Sequence, residues 1–334
     1  MSSLVQELVQ AILSASKPYE FETFLVGVTN HEPISREEFR KQSHELKVEL
    51  GTILEHLPAW KERKVSILEP EMHLIVDPLA KTARCQPSPL YIAGRYRKLS
   101  RKITSSFWIH NPCQGRGCIS CGGRGSVFDF SIEEFLDRVL QPAFKSTGRK
   151  FHVMGREDTD VLMLGKGRPF VFQLQNPKKR KKNLSVLLKK LAGDPRVEIP
   201  YLTYTDFRSI SLLKDTPARK EYVALILSEE ALPSDLEKRL EAFQDQTIQQ
   251  RTPLRVRQRR ADIFRVRHIY KTQLEERQGT LFRWRVEAES GTYIKELISG
   301  DHGDTSPSLS SHLGLPLTCV ELDVAEILWK APWE

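Results

Sequence analysis

Apolar and polar positions alternate between two periods along this chain, and the period predicts the element. Leu4, Val5, Leu8, Ile12 and Leu13 recur at helical spacing, which places one face of an opening helix against a core. Phe21 to Val28 reads as a strand. Ser35-Arg-Glu-Glu38 is a capping signature for a second helix running through Leu50, with the serine covering free amides and the glutamate reaching back. Val65 to Leu68 and Met72 to Val76 read as paired strands punctuated by Pro70 and Pro78. A further helix is expected from Ser131-Ile-Glu-Glu134 to Leu140, and another over Pro233 to Phe243. Between and after them lie strand candidates at Val161 to Leu164, Phe170 to Leu174, Glu221 to Leu227 and Leu281 to Ala288. The last alternates strictly and puts Phe282, Trp284, Val286 and Ala288 on one face. No internal repeat is present. The order predicts an α+β fold with a mixed or largely antiparallel sheet rather than a regular βαβ series.

Composition narrows the partners. The chain has 334 residues, 40% of them hydrophobic, and a formal net charge of +8. That balance supports real cores and favours a polyanion as partner. No stretch approaches the ~18 consecutive apolar residues of a membrane span. The N-terminal ten residues lack the basic start and long apolar core of a signal peptide, so the expectation is a cytoplasmic protein without a membrane partner. A Pro-rich joint, Gln86-Pro-Ser-Pro89, separates a small α/β unit over residues 1–84 from the remainder at 85–334.

Four segments carry candidate chemistry. Gly155-Arg-Glu-Asp-Thr-Asp160 sets Asp158 and Asp160 beside Arg156 between a glycine turn and an apolar run. Read as residues, this is either an Asx-type turn between strands or an exposed carboxylate able to act as nucleophile or base. His110, Cys113, Cys118 and Cys121 have the spacing of a Cys3His zinc site, with glycines at 115, 117, 122 and 123 for the turns between ligands. Cys85 is the alternative fourth ligand. Three thiols crowded into nine residues of a five-cysteine chain argue for metal in a reducing compartment, not for a disulfide framework. Leu90 to Arg101 mixes aromatics with four cations, a pairing suited to stacking and phosphate contact, or else to a solvated strand end. Two denser basic runs follow. Pro177-Lys-Lys-Arg-Lys-Lys182 reads as an RNA-clamping loop, a nuclear-localisation signal or a solvated loop. If Gln249 to Arg260 is extended, Arg255, Arg257 and Arg259 share one face, which suits an anion lying across them.

Gly155-Arg-Glu-Asp158 with Gly165-Lys-Gly-Arg-Pro-Phe170 resembles the archaeal and eukaryotic family of RNA pseudouridine synthases that modify the TΨC arm of tRNA. Tyr91 to Arg101, Tyr222, Gln250 to Arg260 and Gly291 to Leu297 agree in the same order, so the likeness covers about residues 87–325. The resemblance implies a pseudouridine-synthase-type sheet flanked by helices, with a small THUMP-like RNA-binding domain at residues 1–84 and the catalytic domain at 85–334. It assigns Asp158 as the nucleophile, with Asp160 as rival. Tyr222 would stack on the target base and serve in proton transfer, and Lys295 would pair with the catalytic aspartate. Ile294 would line the base pocket, with Leu322 as a weaker candidate for the same wall. A lysine close to Asp158 would hold that carboxylate ionised. RNA contacts are expected at Arg156, Arg95, Lys179, Arg180, Arg251, Arg255, Arg257 and Arg259, with residues 176–193 as a mobile thumb-like loop. Residues 110–121 stand where archaeal members carry a zinc knuckle, and here His110 replaces the first cysteine. The implied substrate is uridine 54, uridine 55 or both, the enzyme acting as a monomer with structural zinc and no organic cofactor. No Walker or dinucleotide-binding glycine motif is present, which disfavours a THUMP-linked methyltransferase or thiolation enzyme. The remaining alternative is a non-catalytic zinc-containing tRNA-binding or folding protein.

Overall fold

A computed structural model describes residues 2–30, 35–257 and 260–334, with the side chains of Arg36 and Gln42 outside the description. The chain divides into two compact units. One comprises Met1–Ile92, Asp137–Phe151 and Phe172–Leu187; the other comprises Ala93–Leu136, His152–Val171 and Leu188–Glu334.

The first unit opens with α1 (Ser3–Ser16), β1 (Thr23–Val28), α2 (Arg36–His56), β2 (Lys64–Val65), β3 (Met72–Asp77) and β4 (Thr82–Pro87). Ser2 caps α1 through the Val5 amide at 3.3 Å, and Ser35 caps α2 through the Glu38 amide at 3.2 Å. The apolar face foreseen for α1 is real. Val5, Leu8, Val9 and Ile12 pack in one core with Phe24, Leu50, Leu54, Trp60, Met72 and Leu74, each fully buried side chain contributing about 1.5–3 kcal/mol before ordering costs. The sheet order is β2-β1-β3-β4. This corrects the expected pairing of residues 65–68 with 72–76, because β1 lies between them and pairs in parallel with both β2 and β3. Parallel neighbours need a crossover, and α2 supplies it between β1 and β2.

The remaining elements are β5 (Leu90–Lys98), α3 (Ile132–Phe144), β6 (Gly148–Val153), β7 (Leu162–Gln175), α4 (Leu184–Lys190), β8 (Val197–Glu198), β9 (Leu202–Thr205), α5 (Arg208–Asp215), β10 (Arg219–Ser228), α6 (Leu236–Glu241), β11 (Gln246–Arg251), β12 (Phe264–Gln278), β13 (Leu281–Ala288), α7 (Ile294–Ser299), β14 (Thr305–Ser306), α8 (Leu309–Leu313) and β15 (Leu317–Leu328). The fold is α+β. Its large sheet runs β14-β11-β12-β13-β10-β15-β7-β5-β8. Pairing is antiparallel from β14 through β15. It turns parallel where β15 meets β7, at Asp323 opposite Leu162. That parallel seam sets the end of the Asp158 turn beside β15. Phe282, Trp284, Val286 and Ala288 are all buried, as their alternation predicted.

Two expectations change here. Residues 161–164 and 170–174 read as separate strands but form the single strand β7. Gly165 and Gly167 adopt positive φ within it, and a Cβ at Gly165 would stand 2.3 Å from the Ala325 carbonyl oxygen; only glycine keeps the strand continuous there. The condition for aligning Arg255 and Arg257, an extended run, is not met, since residues 254–256 form a 3-10 turn after Pro253. Among the described residues, no helix is long and apolar enough to cross a membrane.

Candidate active site and metal centre

The Asp158 turn begins at Gly155, whose φ of +72° suits glycine. A Cβ at Gly155 would stand 3.0 Å from Lys220 Nζ and 3.3 Å from an Arg168 guanidinium nitrogen. Glu157 points inward. Its carboxylate accepts from Arg168 Nε at 2.7 Å and from the Tyr96 hydroxyl at 3.2 Å, and both side chains of the Glu157–Arg168 pair are buried. Burial opposes the Arg168 charge, but Glu157 more than offsets it, so the guanidinium stays firmly protonated. Arg168 also donates to the Met154 carbonyl at 2.6 Å.

The backbone of the turn is fastened from β5 and its following loop. Lys98 Nζ donates to the carbonyl oxygens of Asp158 at 2.9 Å, Thr159 at 2.7 Å and Val161 at 2.7 Å. Arg101 donates to Asp160 O and Leu322 O, both at 3.0 Å, and pairs with Asp323 at 2.6 Å. Every residue of 158–161 therefore presents its side chain from a braced backbone.

Those side chains meet two cations. Asp158 Oδ2 accepts from an Arg255 guanidinium nitrogen at 2.6 Å and lies 3.8 Å from Lys295 Nζ; Asp160 Oδ2 accepts from Lys295 Nζ at 2.6 Å. Partial burial pushes the Asp160 carboxyl up, and the Lys295 hydrogen bond and charge more than reverse this, so it sits below the usual carboxylate range. Arg255 is itself fixed by Glu296 on α7, at 2.7 Å and 3.2 Å. Burial opposes its charge, yet Glu296 and Asp158 raise its pKa above the ordinary arginine value. The start of α7 is clamped by Gln250, whose side chain donates to Tyr293 O at 3.0 Å and accepts the Tyr293 amide at 2.9 Å.

Ile294 on α7 and Leu322 on β15 are buried, as is Tyr222 on β10. Tyr222 is flanked in the sheet by Val286 and Val324, and burial pushes its phenol up to about 12, with the Arg168 charge pulling the other way. A phenol held that high keeps its proton near neutral pH.

The expected RNA contacts divide. Arg156 is exposed at the turn. Arg95 is a correction. It is buried and donates to Gly167 O at 2.8 Å, to Trp329 O at 2.5 Å and to the Glu334 carboxylate, which leaves it a structural strut. Arg97, Lys98 and Arg101 likewise hold protein groups, so the cations of residues 90–101 brace the motif instead of offering themselves to phosphates. Arg180 is also corrected. It is buried and donates to Ser88 O and Pro89 O, while Lys179 and Lys181 pair with Glu20 and Glu22. Within the basic run at 177–182, Lys179 and Lys181 are thus held against carboxylates, and residues 184–190 are helical. Arg251 pairs with Asp262, and Arg257 with Asp304. Arg259 lies outside the described residues. Sequence reasoning missed Lys98, Arg101, Arg168, Glu296 and Lys220. Alternation on β10 could have found Lys220, two residues before Tyr222.

In a separate cluster of the second unit, the ligand atoms of His110, Cys113, Cys118 and Cys121 lie within 4.8 Å of one another. The Cys118 and Cys121 sulfurs are 3.8 Å apart, and those of Cys113 and Cys121 are 4.0 Å apart. The edge of a tetrahedron with ~2.3 Å zinc–sulfur bonds is about 3.8 Å, so the donor set fits a tetrahedral ion. Backbone amides of Cys118 and Gly125 donate to Cys121 Sγ at 3.2 Å and 3.3 Å, as outer partners of thiolate ligands do. Cys85 sits on β4 opposite Leu74 and is not among the four.

Sequence comparison gives this geometry its family. The profile described as "Pus10, C-terminal" matches residues 91–328. A curated tRNA pseudouridine synthase Pus10 from Methanocaldococcus jannaschii is 36% identical over 330 residues, spanning 97% of this chain and 72% of that protein. The chain belongs to the Pus10 family. The Pus10 of Archaeoglobus fulgidus is 35% identical over 328 residues, covering 97% of this chain and 92% of its own length. Pus10 relatives are named as tRNA pseudouridine synthases, and membership makes this chain an isomerase of that kind. A solved Cbf5-Nop10-Gar1 complex overlaps more loosely, with a TM-score of 0.38 and 18% identity over 70% of this chain and 49% of that one.

Proposed function

We propose that the chain isomerises uridine to pseudouridine in the TΨC arm of tRNA, at uridine 54, uridine 55 or both, with Asp158 as nucleophile. The observation that carries this reading is the Asp158 carboxylate on its braced turn, 2.6 Å from Arg255 and 3.8 Å from Lys295. Two cations lie against a carboxylate that the turn presents outward, a placement suited to a nucleophile. The target uridine leaves its stack to reach such a site. An Asp158 oxygen attacks C1′ of the ribose or C6 of the base, and the N1–C1′ bond breaks. The uracil then turns, C5 bonds to C1′, the bond to the Asp158 oxygen breaks, the C5 proton leaves and N1 gains one. Product and substrate are isomers, so no co-reactant is needed. Tyr222 would stack on the base and take part in the proton transfer, with Ile294 and Leu322 as apolar walls. Arg156 and the basic turn at 251–257 would approach the RNA backbone, and residues 1–84 would act as a THUMP-like RNA-binding accessory domain. His110, Cys113, Cys118 and Cys121 would hold one structural zinc. The enzyme would work as a cytoplasmic monomer.

The test is conversion of an unmodified tRNA transcript, mapped by chemical adduct and primer extension. Wild type yields pseudouridine in the TΨC arm, Asp158→Ala yields none at matched tRNA binding, and Asp160→Asn keeps turnover. Activity in Asp158→Ala would move the nucleophile elsewhere. Elemental analysis of the same sample tests the zinc site, and a value near zero zinc per chain would remove it.

A further inference from the structure

We propose that Lys220 binds the target nucleotide directly, donating a hydrogen bond to a carbonyl oxygen of the flipped uracil. This rests on the reading of the chain as a uridine isomerase. Alternation along β10 places Lys220 and Tyr222 on the same buried face, with Lys220 only 7% exposed. Its neighbours across the sheet are Ala288 and Ile327, neither of which offers an acceptor side chain. Of the charged side chains that act on it, Arg168 and Arg260 have the same sign, and the Glu157 carboxylate is already taken by Arg168 and the Tyr96 hydroxyl. Among the described residues, Lys220 Nζ makes no hydrogen bond or ion pair, and neither does the Tyr222 hydroxyl. The amine is not among the fully enclosed side-chain atoms that lack a partner, so it opens on solvent, and a ligand entering there can take the place of water as its acceptor.

The side chain ends under the Asp158 turn. A Cβ at Gly155 would stand 3.0 Å from Nζ, so the glycine leaves the amine open space three residues from the nucleophile. A uracil stacked on Tyr222, two residues along the same face of β10, would turn a carbonyl oxygen toward that amine. A phosphate is a poorer fit, because burial and then the Arg168 charge push the Lys220 ammonium down to about 7. The uncharged amine so favoured still donates to a neutral carbonyl and has no Coulombic claim on an anion.

The experiment measures single-turnover conversion of tRNA transcript by the full chain at saturating enzyme, with wild type, Lys220→Met, Lys220→Arg and Asp158→Ala side by side. Lys220→Met is expected to slow conversion about tenfold to a hundredfold with tRNA affinity within about twofold. Lys220→Arg, which keeps a donor, recovers part of the loss. A 2-thio or 4-thio substitution at the target uridine slows wild type and adds nothing to Lys220→Met. Lys220→Gln carries the same measurements if Lys220→Met does not fold. Wild-type speed in Lys220→Met overturns the proposal, as does a thio effect that is fully additive with it. So does a loss that tracks a methylphosphonate at the target phosphate, which would make the acceptor a phosphate. Asp158→Ala keeps the two ideas separate. If wild type converts uridine and Asp158→Ala does not, the uridine-isomerase reading stands and the Lys220 arms bear on this inference alone. If wild type converts nothing, both fall.

Discussion

Two buried lysines flank one turn and do opposite things. Lys98, on the β5 side, gives its ammonium to three carbonyl oxygens of residues 158–161. Lys220, on the β10 side, faces Gly155 with no acceptor among the described residues. Burial depresses both, Lys98 to about 8 and Lys220 to about 7. The difference lies in the partners. A buried cation with its donors filled belongs to the architecture, while one whose amine meets no protein acceptor is free to serve a ligand. Removing Lys98 tests the first half of that contrast most severely. Lys98→Met leaves three carbonyls of the turn without their donor and is expected to cost about 3 kcal/mol or more, read by urea denaturation. Turnover falls with it, because the Asp158 backbone loses its anchor. A Lys98→Met protein as stable as wild type would show that the turn holds itself. The matching change at Lys220 removes no hydrogen bond and is expected to leave stability unchanged or higher.

Gly155→Ala sharpens the same contrast at a smaller scale. The positive φ costs alanine about 1 kcal/mol, and the added carbon would press on Lys220 Nζ at 3.0 Å. A total near 2 kcal/mol is expected in wild type, with the steric part relieved in a Lys220→Met background, because neighbouring residues couple. Equal costs in both backgrounds would mean that Lys220 does not occupy the space under the turn.

What the sequence disclosed follows from what is local. The Asp158 motif and the Lys295 helix start each lie in one short segment, where the likeness to the pseudouridine synthases picks them out, and the candidate metal ligands at 110–121 show in their spacing. Arg255 meets Asp158 across 97 residues of chain, and nothing in its own segment announces this. It was read as part of a phosphate track because aligned arginines repel, whereas here Asp158 and Glu296 remove the repulsion. Arg95 and Arg180 were misplaced for the same reason, since a cation's partners are not written beside it. In the fold, buried alternation made β13 legible. β12 escaped because its Phe264–Gln278 run is charged and mostly exposed. The pairing of β2 was misread because two exposed residues specify no register.

The smallest effect expected is also the cleanest reading of Lys220 in the free protein. Its ammonium faces Arg168 from β7, Glu157 and Arg260 from flanking loops, and the Tyr222 ring on its own strand. In the unfolded chain a lysine holds its proton to about pH 10.4, while in the folded chain Lys220 releases it near 7. Between those values the unfolded state binds more protons, so raising the pH stabilises the fold. Below the folded value both states are protonated, and the full cost of burying the charge is present. Lys98 adds a contribution of the same sign from about pH 8 upward, but it is common to wild type and Lys220→Met and cancels in their difference. Wild type is therefore expected to be the less stable of the two near pH 6.5 and to recover by about 1 kcal/mol from pH 7 to 8. Paired denaturation curves measure this. A stability difference that stays flat over that range would mean that Lys220 remains charged in the free fold. It would then have an internal acceptor after all, and the distinction from Lys98 would dissolve.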